Sequence, residues 1–336
     1  MSHAAGTPEN RTDRKVQVFG PDTIRRAVDL TDLIEPVAQV FADYSRGLGE
    51  APISMFAPAG AQGDVHVKSA WMPGRTFFTI KVASWFTARA VGGKPAGSGF
   101  IAVHDATTGD LLAILQDEGH LTNIRTAAAG AVAARVLARE DATTVAVLGT
   151  GIQAYLQVLA LCAVRPIETV LVWGRRDDAA RALAETLATR DAELTVSVLS
   201  DAEEAVRRAD VVITATASRQ PIVRGSWLSP GQHVTAVGAD DETKQELDPA
   251  CFELADITVV DSLSETPKFA GDLRRAIEEG VLTGAGISGE LGELLLGMKP
   301  GRHNAAQITI AKLIGLGIQD LAAAEVALPR LLAPRA

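Results

Sequence analysis

The chain has 336 residues, a formal net charge of -9, and 47% hydrophobic but only 4% aromatic residues. That length accommodates two domains, each with its own core. An acidic chain without a Lys/Arg run suits neither nucleic acid nor an anionic membrane surface, and no apolar run reaches transmembrane length, so neither partner is expected.

The apolar mass is Ala, Val and Leu, as expected of helices packed on a parallel sheet. Two cysteines, Cys162 and Cys251, lie in apolar helical contexts, read as core residues and fit a reducing cytoplasm. No signal peptide is read at the start, and the polar segment Met1–Arg14 is expected to be mobile.

In chain order, Val16–Phe19 reads as a short strand. Pro21-Asp22 opens a helical segment, and Leu30–Arg46 carries apolar residues at helical spacing with an interruption expected at Pro36. Beyond the connection G-L-G-E-A-P, Val65–Trp71 and Thr76–Ala83 read as strands, and Phe100–His104 pairs with Leu111–Leu115 through D-A-T-T-G-D. Four antiparallel strands in succession define an α+β unit. Leu121–Arg139 is an Ala-rich helix with Thr122 as its expected capping residue.

The segment Thr144–Ala154, T-V-A-V-L-G-T-G-I-Q-A, organises the remainder of the chain. Thr144–Leu148 reads as a buried strand, Gly149 as the tight turn, Gly151 as the place where a diphosphate approaches the backbone, and Ala154 as a close helix–strand contact. The helix opening at Ile152 aims free amides and its positive dipole end at that diphosphate, so Thr150, Ile152 and Gln153 are candidates with the two glycines. A tight turn without a ligand is the plain alternative.

Further strands are expected over Thr169–Trp173, Leu194–Leu199, Val211–Thr216, His233–Val237 and Ile257–Asp261, with helices between them, so the fold class is α/β. Thr216 and Val237, at the carboxyl ends of two of these strands, join the candidate cofactor residues. A final helix is expected over Ala305–Leu328. Its texture matches the helix before the glycine loop, so it is expected to return to the N-terminal unit. The expected division is therefore a dinucleotide-binding domain over 123–304, a doubly wound parallel sheet, and a discontinuous α+β domain over 1–122 and 305–336.

Cofactor preference is read at the end of the second strand, where an acid favours NAD by bonding the ribose 2′-hydroxyl. Here the order is Trp173-Gly174-Arg175-Arg176. Two guanidiniums suit a 2′-phosphate, so NADP is favoured over NAD, although both arginines could simply be solvated beside Asp177 and Asp178.

Three further residues carry candidate chemistry. Lys81 sits in an apolar strand, where a buried ammonium needs a partner. Arg125 opens the Ala-rich helix and can bind a substrate carboxylate. Asp240 follows a strand at the carboxyl edge of the sheet and can act as a general acid or base. Structural readings stand beside these: Lys81 snorkelling to solvent, Arg125 in an interdomain ion pair, Asp240 as a loop residue. Lys68 is either an exposed strand position or a second anion-binding residue. The six histidines show no metal-ligand spacing, so no metal is expected, and neither G-x-S-x-G nor C-x-x-C occurs.

With these residues in place, the chain resembles the ornithine cyclodeaminase/mu-crystallin family over nearly its whole length. The resemblance rests on F-T-I-K-V ending at Val82, G-H-L-T-N-I-R-T-A-A-A around Arg125, G-T-G-I-Q-A, V-G-A-D-D-E-T-K-Q-E-L-D-P around Asp240, and G-L-G-I-Q-D-L-A-A-A from Gly315. Within the family it is most similar to the ectoine-utilisation dehydrogenase and iminosuccinate reductase types. The resemblance implies an N-terminal substrate-binding and dimerisation domain completed by the last helix, with a Rossmann domain between, and hence a homodimer. It implies an NAD(P)-dependent imine reductase or amino-acid dehydrogenase acting on a small amino, imino or oxo acid. A cyclodeaminase and a non-catalytic crystallin-like carrier are the alternatives.

Carried over by position, Lys81 and Arg125 would hold the substrate carboxylate, with Lys81 also near the imine. Asp240 would be the general acid/base, and Gly149, Gly151, Gln153, Thr126 and Lys244 would meet the cofactor. Three positions depart from the cyclodeaminase pattern. Ile53 stands where an arginine is expected, Ala70 where a glutamate would face a δ-amino group, and Gly174 where NAD-using members carry an acid.

Overall fold

The computed structural model describes residues 15–58, 62–94 and 97–333, so Met1–Arg14 lies outside the described residues. Its first sheet contains β1 (Gln17–Phe19), β2 (Ile53–Phe56), β3 (Gly63–Ala70), β4 (Phe77–Phe86), β5 (Gly97–Asp105) and β6 (Leu111–Leu115), in the spatial order β1-β6-β5-β4-β3-β2. All neighbours are antiparallel except β1 and β6. The edge strand β2 falls in a stretch where Pro52 and nearby glycines masked the strand pattern.

Side chains alternate across this sheet as the pleat demands. Lys68, Thr79, Lys81, Ile101, Val103 and Leu115 are buried on one face, beneath the terminal helix Gly317–Leu332. The helices Ile34–Ser45 and His120–Leu137 pack on that terminal helix in turn. On the other face Val67, Ile80, Val82, Phe100, Ala102 and Ile114 are only half-buried.

Two local expectations change. Pro36 does not interrupt a helix, because the α-helix begins at Ile34 and places Pro36 in its first turn, where no backbone donor is needed. Thr122 is not a cap. Gly119, in the left-handed region at φ 85°, precedes the helix His120–Leu137, and Asp117 Oδ2 accepts the Leu121 amide at 2.7 Å.

The second sheet is fully parallel. Its members are β7 (Thr144–Leu148), β8 (Thr169–Trp173), β9 (Thr195–Val198), β10 (Val211–Thr214), β12 (His233–Ala236), β14 (Ile257–Val260), β15 (Gly289–Glu290) and β16 (Thr309–Lys312). They lie in the order β15-β14-β16-β12-β10-β7-β8-β9, and a small parallel pair, β11 (Arg219–Val223) with β13 (Gln245–Leu247), stands apart. The chain reverses direction across the sheet between β7 and β10, the topological switch point where ligands collect in such folds.

The expected helix over Ala305–Leu328 is overturned in its first part. Thr309–Lys312 is a central strand between β12 and β14, all four residues buried, and the helix starts only at Gly317. A strand buried on both faces has no polar alternation to separate it from a buried helix.

Candidate active site

The glycine loop follows β7 at the switch point. Gly149 has φ 134°, and a Cβ there would lie 2.5 Å from Ala215 O and 3.3 Å from Thr216 Cγ2. Gly151 meets nothing within 4 Å on that side. Tyr155 is the first residue of the following helix whose amide bonds back, to Gly151 O, so the amides preceding it face outward. This open cradle of glycine and free amides fits a diphosphate.

Among the other cofactor candidates, Gln153 Nε2 donates to Asn123 O at 3.2 Å and Oδ1 at 3.3 Å, and Gln157 Nε2 donates to Thr126 O at 3.1 Å. These two glutamines tie the glycine-loop helix Ile152–Cys162 to the helix that carries Arg125. Val237 donates its amide to Thr214 O at 3.0 Å, between the ends of β10 and β12.

At the end of β8, a Cβ on Gly174 would sit 2.5 Å from Thr150 Cγ2, so a larger residue there would displace the glycine loop. Arg175 and Arg176 are exposed and make no ion pair or side-chain hydrogen bond among the described residues. The nearby Asp177 is engaged by Arg181 at 2.7 Å instead.

Three cations converge, Lys68 and Lys81 of the first sheet and Arg125 of the helix His120–Leu137. Lys68 and Lys81 are direct cross-strand partners, and Ile53 pairs with Lys68 on the same face, placing an apolar side chain where the resemblance expects a guanidinium. Asp320, fully buried in the terminal helix, bridges the group: Oδ2 lies 2.7 Å from Lys81 Nζ and Oδ1 accepts from Arg125 Nε at 3.0 Å. Arg125 Nη1 also donates to Gln319 Oε1. Gly315, at φ 77°, leaves the space: a Cβ there would lie 2.3 Å from Arg125 Nη1. Lys68 Nζ donates to Ile314 O at 3.0 Å and Gly315 O at 2.7 Å, and those two residues in turn give their amides to Asp261 at 2.9 and 2.7 Å.

Neither lysine snorkels. Burial, reinforced by Arg125, lowers Lys81 to about 7 even though Asp320 opposes the shift. Burial and Arg125 likewise lower Lys68 to about 8. Asp320 itself is held low: burial raises it, but Arg125 and Lys81 outweigh that.

Asp240 projects from the end of β12, half-buried, with Oδ1 2.6 Å from Lys244 Nζ. Asp241 Oδ2 reaches the same ammonium at 2.9 Å. Burial pushes the Asp240 carboxyl up, yet Lys244, Lys68 and His66 together bring it down to about 2. It is therefore an anion across the physiological range.

Sequence reasoning assigned no role to Asp320 or Gln319, although a lone acid inside the apolar run G-I-Q-D-L-A-A-A was a usable signal. His66 was set aside with the other histidines. It stands two residues before Lys68, on the same face of β3, and is among the groups acting on Asp240.

A doubly wound sheet with a glycine-rich diphosphate cradle beside a cluster of buried cations defines a nucleotide-dependent class acting on a small anionic substrate. The profile of the ornithine cyclodeaminase/mu-crystallin family matches residues 19–333, and the chain belongs to that family. It is 42% identical over 279 residues to an uncharacterised cyclodeaminase of Sinorhizobium fredii, covering 83% of this chain and 84% of that one. The Δ1-pyrroline-2-carboxylate reductase of Thermococcus litoralis, solved with NADH and L-proline, superposes with a TM-score of 0.90 at 29% identity, covering 94% of this chain and 98% of that one. An archaeal alanine dehydrogenase dimer with bound NAD gives 0.88 at 30% identity, covering 94% and 96%. No helix of the described residues is long and apolar enough to cross a membrane.

Proposed function

We propose that the protein is an NAD(P)-dependent reductase of small α-imino acids, running in reverse as an amino-acid dehydrogenase. The observation that carries this reading is the convergence of Lys68, Lys81 and Arg125 around Asp320, with Lys68 also acting on Asp240, while the glycine loop lies at the switch point. The bound nicotinamide would supply or accept the hydride at the substrate Cα. Lys81 and the Nη2 of Arg125, which makes no hydrogen bond among the described residues, receive the substrate carboxylate, because the Nε and Nη1 groups of Arg125 are already spent on Asp320 and Gln319.

Being anionic, Asp240 holds the substrate nitrogen as a cationic iminium, which accepts hydride more readily than a neutral imine. Lys81, lowered to about 7, is the group poised to give and recover the proton. The shared general acid/base role expected of Asp240 is thereby divided between two residues.

We propose NADP as the preferred cofactor, on the unpaired Arg175 and Arg176 and the glycine at 174. The test is a panel of 2-oxo acids with ammonia or methylamine, followed by absorbance of the reduced nicotinamide. Turnover is expected with NADPH preferred. Arg175→Ala combined with Arg176→Ala should raise the KM for NADPH about tenfold or more, as expected for lost charge-assisted bonds, and leave that for NADH unchanged. Ammonia release from a diamino acid without net cofactor consumption would instead establish the second reading, a cyclodeaminase, which the Sinorhizobium relative's name favours and Ile53 and Ala70 oppose.

A homodimer through the first domain is part of the same proposal. The half-buried apolar face of Val67, Ile80, Val82, Phe100, Ala102 and Ile114 fits a second copy, in keeping with the archaeal dimer of similar fold. Light scattering at micromolar concentration should give twice the chain mass of 35.2 kDa, and Ile80→Asp with Val82→Asp should give the monomer. A wild-type monomer would refute it.

A further inference from the structure

Glu246, on β13, is 0% exposed, and its carboxylate accepts from five donors. Oε1 takes the Thr216 amide at 2.6 Å and the Thr216 hydroxyl at 2.9 Å. Oε2 takes the Thr214 hydroxyl at 2.8 Å, the Gly238 amide at 2.8 Å and the Ala239 amide at 3.2 Å. Every one of these bonds requires an acceptor, so the ionised form satisfies them all. Burial raises the group's pKa, and the fully buried Lys312, 3.4 Å from the equally buried Asp272, opposes the rise.

The donors come from the carboxyl ends of β10 and β12, neighbouring parallel strands at the switch-point edge, and two of them immediately precede Asp240. The fit is tight. A Cβ on Gly238 would lie 2.4 Å from Glu246 Oε1 and 2.2 Å from Thr216 O. Lys244, two residues before Glu246, holds the Asp240 side chain at 2.6 Å. One short segment thus grips Asp240 twice, through its side chain by Lys244 and through the preceding main chain by Glu246.

We propose that Glu246 is a positioning residue of the reaction: its carboxylate clamps Gly238 and Ala239 against Thr216 and so sets where Asp240 meets the substrate nitrogen. The inference rests on the reductase reading of Asp240. Displacing a reacting group by about an ångström costs on the order of a hundredfold in rate, and this clamp is the contact that resists such a shift. No group of the diphosphate cradle at Gly149–Gln153 donates to Glu246, although Thr216, which does, stands beside Gly149, so cofactor affinity is measured alongside rate.

The test is Glu246→Gln, which keeps the shape but turns an N–H group toward backbone donors. With wild-type enzyme alongside, kcat for imine reduction should fall about tenfold or more while NADPH affinity by fluorescence stays within about twofold. The primary isotope effect with cofactor deuterated at the transferred position should rise, because hydride transfer becomes the slow step. A merely structural role would lower Tm and leave the isotope effect unchanged. Thr214→Val removes one of the five donors without adding volume and should give a weaker form of the same pattern, and it serves if Glu246→Gln fails to fold. Unchanged kcat and isotope effect in the folded variants of an active enzyme would overturn the inference alone. An inactive wild type would overturn it together with the reductase reading.

Discussion

Replacing Asp240 by asparagine is expected to lower kcat by on the order of a hundredfold or more while leaving NADPH affinity within about twofold. The side chain keeps its volume but loses its charge, and with it the anion that favours the iminium. Lys244 then faces a neutral amide, although Asp241 still holds it at 2.9 Å. The diphosphate cradle lies on another loop, so fluorescence titration should register little. Asp241→Asn is the matched control. That carboxylate also accepts from the Thr243 amide at 2.8 Å and the Thr243 hydroxyl at 2.7 Å, and it leaves the Asp240–Lys244 contact in place, so kcat should change less than about threefold. Steady-state kinetics with both variants decide the point. The reverse ranking would move the catalytic anion by one residue.

The second large effect is expected at Asp320. Asp320→Asn leaves Lys81 and Arg125 buried without their shared counter-charge, which should cost about 3–5 kcal/mol of stability, read by denaturant or thermal unfolding. Its pH dependence has a definite sign. The Lys81 pKa is lowered from 10.5 in the unfolded chain to about 7 in the fold, so over that window the unfolded state binds the extra proton and stability rises with pH. Below about pH 7 the buried ammonium is fully present and its penalty is complete. Asp320 is the partner that keeps this pKa from falling further, so in Asp320→Asn the window opens at lower pH.

Kinetics should move with stability. With Lys81 as the proposed proton donor, wild-type imine reduction should decline as pH rises through about 7, whereas amine oxidation should rise there. In Asp320→Asn both limbs should shift to lower pH. A pH–rate profile flat through this range would remove Lys81 from the proton transfer. Adding Lys81→Met should recover part of the lost stability without recovering activity, because it deletes the unpaired cation and the proton donor together.

The two buried acids behind these effects, Asp320 and Glu246, lie within runs that already marked the family, yet their tasks were not legible there. Each works through partners that the chain does not place nearby in sequence. Arg125 and Asp320 are 195 residues apart, and Lys68 reaches Ile314 across 246. Glu246 gathers donors from two separate strands. A lone acid in an apolar stretch signals a buried partner, but its identity is a matter of which elements pack together.

What the amino-acid order determined by itself was local. The strand–turn–helix of the glycine loop, the alternating β3–β5 strands and the small residues of the helix His120–Leu137 follow from periodicity and from Gly149 and Gly151, because short-range geometry dictates them. The gross class, an acidic two-part α/β chain carrying Lys81, Arg125 and Asp240 as candidates, was legible for the same reason. Tertiary structure alone decided three things. It made Thr309–Lys312 a central strand, since burial on both faces erases the alternation that distinguishes strand from helix. It set Asp240 as an anion and Lys81 near neutrality, since each pKa is a balance between desolvation and charges brought from other elements, Lys68 of β3 and Asp320 of the last helix among them. And it converted Lys68, Lys81 and Arg125 from three separate cations into one cluster around a single carboxylate, because only the pairing of β3 with β4 and the return of the terminal helix bring them within reach.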